Sequence, residues 1–309
     1  MRFSIYQESK KGGRKTNQDR MGYCFTRDAL LMIVADGMGG HVQGDIAAQI
    51  AVQTVGSLFQ QQALPVLKSP QRFLESSMLD AHQQILQYRA TNRLSESPRT
   101  TIVACVVQGG AAFWAHVGDS RLYWVRGGAV IAQTRDHSKF QSLIQQGLAS
   151  PAEIDTHPDR NKLFNCLGSP ELPTVELSRK MTLQPGDTLF LCTDGLWSAV
   201  PDQAIASSFA ASTVMRAVPD LIAAALAEAG NEADNVTGMA MNWAGADLGE
   251  EQGVSTVAMP LGAITTTIQA RRPSPPEAPG SAMTDSEIER AIDDIRSSIR
   301  KSNKLMPKI

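Results

Sequence analysis

Two hydrophobic periodicities alternate along the first 243 residues of the chain. Where apolar residues recur every three to four positions, a helix would have one apolar face, as core-facing helices do. Where they are dense over four to eight positions, the segment is typical of a strand. The helical spacing predicts helices at 42–61, 71–89, 202–209 and 215–229. The dense runs predict strands at 22–27, 30–35, 101–107, 111–117, 121–126, 129–133, 175–180, 188–192 and 236–243.

Short glycine turns separate several of the predicted strands. Gly109-Gly110, Gly118-Asp119 and Gly127-Gly128 each lie between consecutive runs, and such dipeptides are typical of β-hairpins. Much of the sheet should therefore be antiparallel. The helices come in sequential pairs rather than after every strand, which favours an α+β fold over a parallel doubly wound sheet.

The composition of the chain changes near residue 244. Residues 244–280 are rich in Gly, Thr and Pro, which predicts an extended, disordered linker. Residues 281–309 should contain a helix from about 285 to about 301. Its apolar stripe consists of Ile288, Ile292, Ile295 and Ile299. Two alternatives are open for this helix: it binds a protein partner, or it folds back on the preceding domain.

Composition and charge argue against several classes of partner. Of the 309 residues, 42% are hydrophobic and 19% are charged, and the formal net charge is −2. Such a chain has no bulk basic field that would attract nucleic acid, and no apolar run reaches membrane-spanning length. Four scattered cysteines without a CxxC pair predict free thiols in a reducing compartment. We therefore expect a cytoplasmic protein without a membrane span.

Aspartates stand where predicted strands end or begin. Asp36 and Asp194 each close an apolar run and precede a glycine. Asp119 follows another run, Asp234 precedes the last one, and Asp19 lies near the front of the chain. A carboxylate at the end of a buried strand is costly unless a cation pairs with it. Several of them at one end of a sheet are the ligands that hard divalent cations need, so the pattern predicts a metal-dependent hydrolase.

Seven segments with polar or glycine-rich sequence carry this chemistry. They are residues 13–19, 35–41, 100–101, 117–123, 134–138, 192–197 and 234–237. In this order and spacing they resemble the metal-dependent serine/threonine protein phosphatases, the PPM or type 2C class, in its compact bacterial form. The resemblance covers residues 1–243 and implies a catalytic domain built as an α-β-β-α sandwich, with two packed, mostly antiparallel sheets flanked by helix pairs. It also implies that residues 139–169 form a variable flap beside the site.

The resemblance implies two core ions, Mn²⁺ or Mg²⁺, which suit carboxylate and carbonyl ligands. It implies that Asp36 bridges both ions and that the backbone carbonyl of Gly37 binds one of them. Asp194 and Asp234 should ligate the other ion. Asp19 should act directly or through bound water.

Other site residues have competing interpretations. Asp119 resembles the family's ligand for a third, weaker ion, and the alternative is a hairpin turn residue. For Asp234 the alternative is an N-terminal or loop cap before its strand. Arg14 should hold the substrate phosphate, because its planar fork matches two phosphate oxygens; the alternative is a solvated loop arginine. His41 is the candidate general acid, and lining the start of the following helix is an equal alternative for it.

The remaining histidines are His82, His116, His137 and His157. We expect them to form no ligand cluster, with His116 packed or hydrogen-bonded in the core and His137 in a structural role. Two positions depart from the family pattern. Gln18 stands where many members carry glutamate, and Arg99 stands where glycine is usual.

The leading hypothesis is a protein phosphatase that removes phosphate from serine or threonine of a partner protein in a serine/threonine kinase pathway. Metal-activated water would attack, without a covalent intermediate. No cysteine is followed six residues later by arginine, and no Asp-x-Asp or Gly-x-Ser-x-Gly motif is present. The alternative is a catalytically idle phosphoprotein-binding scaffold, although no expected ligand is lost. A hydrolase of small phosphoesters would share every catalytic residue.

Overall fold

The computed structural model describes residues 1–38, 43–150, 153, 157, 159 and 162–245 of the chain. Their strands form two sheets in which every ladder is antiparallel. The first sheet contains β1 (Arg2–Lys10), β11 (Val236–Gly245), β10 (Thr188–Cys192), β6 (Arg121–Arg126) and β7 (Ala129–Gln133), in that spatial order. The second contains β2 (Arg20–Phe25), β3 (Ala29–Ala35), β4 (Ile102–Gln108), β5 (Ala111–Val117) and β8 (Glu176–Leu177), with β9 (Met181–Thr182) also paired to β5.

Pairs of helices cover the outer faces of the two sheets. Helices α1 (Gly44–Gln62) and α2 (Pro70–Thr91) pack on the second sheet. Helices α5 (Asp202–Ala211) and α6 (Val214–Ala229) pack on the first. Two shorter helices, α3 (Lys139–Gln145) and α4 (Asp194–Trp197), and a 3-10 turn at Gly230–Glu232 complete the described helices.

The central strands are apolar on both faces because both faces are covered. Every residue of β3 is buried. Leu31 and Ile33 face the helix pair, whereas Met32 and Val34 face the other sheet. Side chains alternate along a strand, so a strand between two apolar layers appears in the sequence as an uninterrupted apolar run. The core therefore consists of three layers: between the two sheets, and between each sheet and its helices.

The predicted α-β-β-α sandwich is confirmed. Each of the four predicted helices is present with its ends within two residues of the predicted ones. The same holds for eight of the nine predicted strands. Residues 175–180 were predicted as one strand, but they hold only the two-residue β8, and β9 follows it.

The elements that were not predicted include β1, α3, the four-residue α4 and the 3-10 turn at Gly230–Glu232. Strand β1 carries Phe3, Ile5 and Tyr6 as its large apolar side chains among polar neighbours, and it is an edge strand that pairs with β11 alone. Half-burial of an edge strand weakens its hydrophobic signal. Helix α3 is seven residues long, which is too short for periodicity to be detected. Its N-terminus is capped by Ser138, whose Oγ accepts a hydrogen bond from the backbone N of Gln141 at 3.1 Å.

Almost all of the two predicted C-terminal segments lies outside the residues that the structure describes. Strand β11 continues to Gly245, and the rest of the predicted linker at 244–280 and the predicted helix in 281–309 lie outside the described residues. In the described part of the chain, no helix combines the length and apolarity needed to cross a lipid bilayer.

Replacing Phe190 by alanine should destabilise the protein by about 3–5 kcal/mol, because a buried aromatic ring would leave a cavity. Phe190 is fully buried, with ring centroids 5.1 Å from Phe209 and 6.3 Å from Tyr123. Urea unfolding of both proteins measures the difference. The matched control is Met215→Ala on α6, where Met215 is 64% exposed; it should change stability by no more than about 0.5 kcal/mol. Equal losses of stability in the two variants would contradict the burial of Phe190 between the first sheet and its helices.

Candidate metal centre

Five aspartates meet at one end of the sandwich: Asp19, Asp36, Asp119, Asp194 and Asp234. Asp36 directly follows β3, and Asp194 and Asp234 lie at the adjacent ends of β10 and β11. Because β10 and β11 are antiparallel neighbours, the end of one strand lies beside the start of the other. Asp19 precedes β2, and Asp119 lies in the turn between β5 and β6. The topology thus gathers all five carboxylates that the sequence analysis selected.

Electrostatic repulsion reflects how closely these carboxylates lie. Burial raises the pKa of Asp36 well above its ordinary value, and the charges of Asp19, Asp194 and Asp119 raise it further. Burial also raises the pKa of Asp119 and of Asp194, with contributions from neighbouring aspartates. The carboxyl of Asp36 lies within hydrogen-bonding reach of those of Asp19 and Asp194. Like charges this close cannot all ionise without a compensating cation.

Asp19 is the most enclosed of the five, at 4% exposed. Its Oδ2 accepts hydrogen bonds from Thr237 Oγ1 at 2.6 Å and from Thr193 Oγ1 at 2.9 Å. Its Oδ1 is buried and finds no hydrogen-bond partner in the part of the chain that the structure describes. Burial raises the pKa of Asp19 to about 7, although the two threonine hydroxyls act against this shift. A buried carboxylate oxygen without a donor is unusual in a native protein and points to an ion as its partner.

Backbone contacts fix the turn that carries Asp36. Its N–H donates to Thr101 Oγ1 at 3.1 Å, and its carbonyl accepts from Thr100 Oγ1 at 2.8 Å and from Thr101 N at 2.9 Å. At Gly37, a Cβ atom would collide with the backbone of Gly44 and come within 2.8 Å of the Gln18 carbonyl. Only glycine fits where three backbone segments approach so closely. The turn beside Asp36 therefore requires glycine at position 37.

Arg14 and Asp234 form an ion pair at the rim of the cluster. Arg14 Nη2 donates to Asp234 Oδ2 at 2.6 Å, and the arginine side chain remains 58% exposed. The charge of Arg14 also reaches Asp194 and Asp36. Its guanidinium has further donors, which are available on the exposed side. Arg14 therefore lies at the site, although its only ion-pair partner among the described residues is a carboxylate of the cluster.

Asn235 holds the loop that brings Arg14 and Asp19 to the site. Its Nδ2 donates to the carbonyls of Lys11 at 2.8 Å and Thr16 at 3.0 Å, and its Oδ1 accepts from Gln18 N at 2.8 Å. Asn235 is 5% exposed, so these bonds are shielded from water. No role was predicted for Asn235, Thr193 or Thr237. All three lie in the quoted motifs, but only the packing assigns their functions.

A second network supports Asp119 from the other side. Arg121 makes a bidentate pair with Asp136, with both N–O distances at 2.8 Å, and its Cζ lies 3.6 Å from the centroid of the Trp197 ring. Trp197 Nε1 donates to the carbonyl of Asp119 at 2.9 Å. This network borders a cleft of about 690 Å³ that is also lined by Arg14, Asp194 and Asp234. The cleft gives the carboxylate cluster an open side large enough for a phosphorylated side chain.

The donor set fits a hard divalent cation. Carboxylate and carbonyl oxygens are the ligands of Mg²⁺ and Mn²⁺, and the cluster offers an unpartnered buried oxygen on Asp19. The nearest cations of the described residues are already engaged, Arg14 by Asp234 and Arg121 by Asp136. Arg14 therefore offsets only one of the five carboxylates, and bound ions would balance the remaining negative charge.

The histidines differ from expectation in one respect. His116, His137 and Glu176 do cluster, with one potential ligand atom from each lying within 4.8 Å of the others. The prediction that the histidines form no ligand cluster did not anticipate this grouping. Its cause is topological, because β8 pairs with β5 and sets Glu176 opposite His116. His41 lies outside the described residues.

Hydrogen bonding argues against a metal between these two histidines. His137 Nδ1 accepts from Gly118 N at 3.2 Å, so its proton lies on Nε2, which faces Glu176 Oε2 at 3.3 Å. His116 Nε2 lies 2.7 Å from the carbonyl of Arg135 and therefore also carries a proton. The rings stack at 4.5 Å with an interplanar angle of 22°, so their in-plane lone pairs run side by side. The predicted packed and structural roles of these histidines agree with this geometry.

Comparison with known proteins decides the family. The family model for protein phosphatase 2C matches residues 8–229. The chain belongs to the protein phosphatase 2C family. It is 31% identical over 191 residues to the serine/threonine phosphatase stp of Listeria innocua, an alignment that covers 61% of this chain and 75% of that protein.

Solved structures of phosphatases of this family share the fold. Serine/threonine phosphatase Stp1 from Staphylococcus aureus superposes with a TM-score of 0.73 at 28% identity, covering 79% of this chain and 96% of that one. The catalytic domain of the serine/threonine protein phosphatase PstP, in complex with two manganese ions, gives a TM-score of 0.65 at 27% identity and covers 78% of this chain and 97% of that one. The dependence on divalent metal that the aspartate cluster indicates agrees with this membership.

The raised pKa of Asp19 predicts a pH effect on the metal-free protein. The folded value is about 7, whereas an unfolded aspartate titrates near 3.9. Between these values the folded protein holds a proton that the unfolded chain releases, so its stability falls as the pH rises. With chelator present, Asp19→Asn should reduce the loss of melting temperature between about pH 5 and pH 8, because asparagine has no proton to lose.

Thermal unfolding in chelator at several pH values measures this effect. The exposed Asp220→Asn on α6 is the control and should keep the pH dependence of the parent protein. An Asp19→Asn variant with the same pH dependence as the parent would contradict the buried, proton-holding state of Asp19.

Proposed function

We propose that the protein hydrolyses phosphoserine and phosphothreonine residues of partner proteins in a reaction that requires Mn²⁺ or Mg²⁺. The observation that carries the proposal is the cluster of five carboxylates, in which Oδ1 of the buried Asp19 has no hydrogen-bond partner among the described residues. The names of the relatives support the reaction, because they are serine/threonine phosphatases. The catalytically idle scaffold is not favoured, because every expected carboxylate is present and they meet in space.

The ligands that we propose are those that the cluster presents. Asp36 and the carbonyl of Gly37 would hold one ion, and Asp36, Asp194 and Asp234 the other. Asp19 would act directly or through water. When bound, two such ions acidify a water molecule and neutralise the phosphate oxygens. Because the water would attack the phosphorus directly, no side chain needs to form a covalent intermediate.

Arg14 would bind the substrate phosphate. Its guanidinium keeps donors free beside the ion pair with Asp234, and 58% of its side chain is exposed towards the cleft side of the cluster. Planar guanidinium groups bind two phosphate oxygens at once. The pair with Asp234 also fixes the arginine at the rim, which would orient a phosphate between Arg14 and the carboxylates.

Two further assignments complete the proposal. Asp119, whose carbonyl is held by Trp197, would ligate a third, weaker ion. His41 would act as general acid and protonate the leaving oxygen, as a protonated imidazole near the centre can. The free, buried cysteines Cys24, Cys105, Cys166 and Cys192 support a cytoplasmic location, where a serine/threonine kinase pathway would supply the substrate.

Replacing Asp36 by asparagine should lower kcat/KM for a phosphothreonine peptide at least about a hundredfold. The reason is that even partners of metal ligands contribute about 10- to 100-fold to activity, and Asp36 is proposed as a ligand of both ions. Phosphate release with Mn²⁺ or Mg²⁺, with and without chelator, measures the effect. Asp220→Asn serves as the matched carboxylate control and should keep full activity. A folded Asp36→Asn variant with the parent's metal-dependent activity would contradict the proposal.

We also propose that residues 281–309 bind a protein partner through the isoleucine stripe at 288, 292, 295 and 299. Deleting 281–309 should leave kcat/KM for a small aryl phosphate unchanged within about twofold, because the proposed ligands all lie before residue 235. The same deletion should reduce the proteins that co-purify with the full chain from cells that naturally contain it. An unchanged set of co-purifying proteins would contradict this role, and lost hydrolysis would instead favour a helix that folds back on the catalytic domain.

A further inference from the structure

Residues 99 and 100 connect the turn at Gly37 to residues 162–174, which include the end of the predicted flap and the loop after it. Thr100 forms bridges with Gly37 on one side and with Leu167 on the other. The carbonyl of Arg99 accepts a hydrogen bond from Met38 N at 3.0 Å. Arg99 therefore contacts the turn at Gly37 through its own carbonyl. Its neighbour Thr100 pairs with Leu167 in the loop that carries the pocket residues.

Arg99 is a cation without a partner. Among the described residues it makes no ion pair, and its Nε is buried without a hydrogen-bond acceptor. Three other partly or fully buried arginines of the domain form ion pairs: Arg20 with Asp45, Arg121 with Asp136 and Arg126 with Asp187. A buried charged donor that lacks an acceptor is costly. This cost would be relieved by an anion that arrives from outside.

Arg99 lines a pocket of about 410 Å³ that is separate from the cleft beside Arg14. The rest of this pocket, which we call the Arg99 pocket, is formed by Phe164, Asn165, Ser169, Pro170, Glu171, Leu172 and Thr174. Two of these residues have large apolar side chains that are exposed to solvent, Phe164 at 65% and Leu172 at 69%. Exposed apolar groups around an unpaired charge are typical of a binding site rather than of a solvated loop.

The pocket wall is fixed by its own hydrogen bonds. Asn165 Nδ2 donates to the carbonyl of Thr174 at 2.7 Å, and Asn165 Oδ1 accepts from Thr174 N at 3.1 Å. At Gly168, which has a φ of +82°, a Cβ atom would collide with the carbonyl of Pro98, immediately before Arg99. The loop and the arginine segment are thus packed against each other, and the pocket is largely preformed.

Cys166, next to Asn165 of the pocket wall, lies between the charges of Arg99 and Asp119. Burial raises the pKa of Cys166, while the charge of Arg99 lowers it and the charge of Asp119 raises it. The thiol is therefore within reach of both charges. A substrate segment that presents its phosphate to the cluster could place a neighbouring side chain at Arg99, since an extended chain advances only about 3.3 Å per residue.

We propose that the Arg99 pocket binds an anionic side chain of the substrate, either a carboxylate or a second phosphate, from a residue within about three positions of the phosphoresidue being hydrolysed. This inference rests on the proposed function and narrows its substrate class. The guanidinium would bind the anion through its planar fork. Phe164 and Leu172 would contact the aliphatic part of the neighbouring residues. Substrates with acidic or doubly phosphorylated segments are then preferred over neutral ones.

A set of phosphothreonine peptides tests the pocket with the full-length protein and Mn²⁺. One peptide has alanine at the three positions on each side, others carry a single glutamate at one of these positions, and a parallel set carries phosphoserine there. The best glutamate or phosphoserine peptide should exceed the alanine peptide about fivefold in kcat/KM, mainly through KM, since a partly exposed ion pair contributes up to about 1 kcal/mol. The two parallel sets distinguish a carboxylate from a phosphate as the bound group.

Variants then assign the preference to Arg99. Arg99→Gln should abolish it while keeping the rate for the alanine peptide, and Arg99→Lys should retain part of it. Glu171→Gln, which removes a carboxylate from the same pocket, should strengthen it and provides a second test should Arg99→Gln fail to fold. Equal rates for all peptides in the parent protein, or an undiminished preference in folded Arg99→Gln, would overturn the inference. If no peptide is hydrolysed with any divalent metal, the proposed function itself fails.

Discussion

The repulsion among five closely spaced carboxylates, of which Asp19 and Asp119 are buried, is the constraint on which the rest of this structure depends. Folding an antiparallel sandwich brings the end of β3, the end of β10 and the start of β11 together, and each carries an aspartate. Burial and mutual repulsion raise the pKa of Asp36 and of Asp194. Such a cluster is stable at neutral pH only when protons or cations occupy it. The cluster therefore suits metal binding but lowers the stability of the metal-free protein, and such a trade-off between stability and function is common.

The surrounding residues keep the cluster in place without neutralising it. Neutral groups hold its backbone and side chains: Thr193 and Thr237 bind Asp19, and Asn235 secures the loop before it. The charged residues nearby are paired among themselves, as Arg121 is with Asp136. Arg14 alone reaches the carboxylates from the open side. This arrangement leaves the negative charge of the cluster to be balanced by ions and presents one cation to an incoming phosphate.

An element could be predicted where its burial in the core requires a regular pattern of apolar residues. The uninterrupted apolar run of β3 and the helical spacing of α1 each identified their element, whereas the half-buried β1 and the short α3 left no periodic signal. The aspartates were found because carboxylates at strand ends are unusual. The roles of Asn235 and of Arg121 depend on contacts between segments far apart in the chain, and so does the pairing that sets Glu176 beside His116. No local pattern encodes such contacts.

The central claim is that divalent ions occupy the aspartate cluster. Crystals of the full chain grown with Mn²⁺ and measured at the manganese absorption edge test it directly. We expect anomalous peaks among Asp36, Asp194 and Asp234, with Asp19 Oδ1 directed at an ion or at a water bound to it. Peaks confined to His116, His137 and Glu176, or no peak at the cluster with Mn²⁺ in excess at neutral pH, would contradict it.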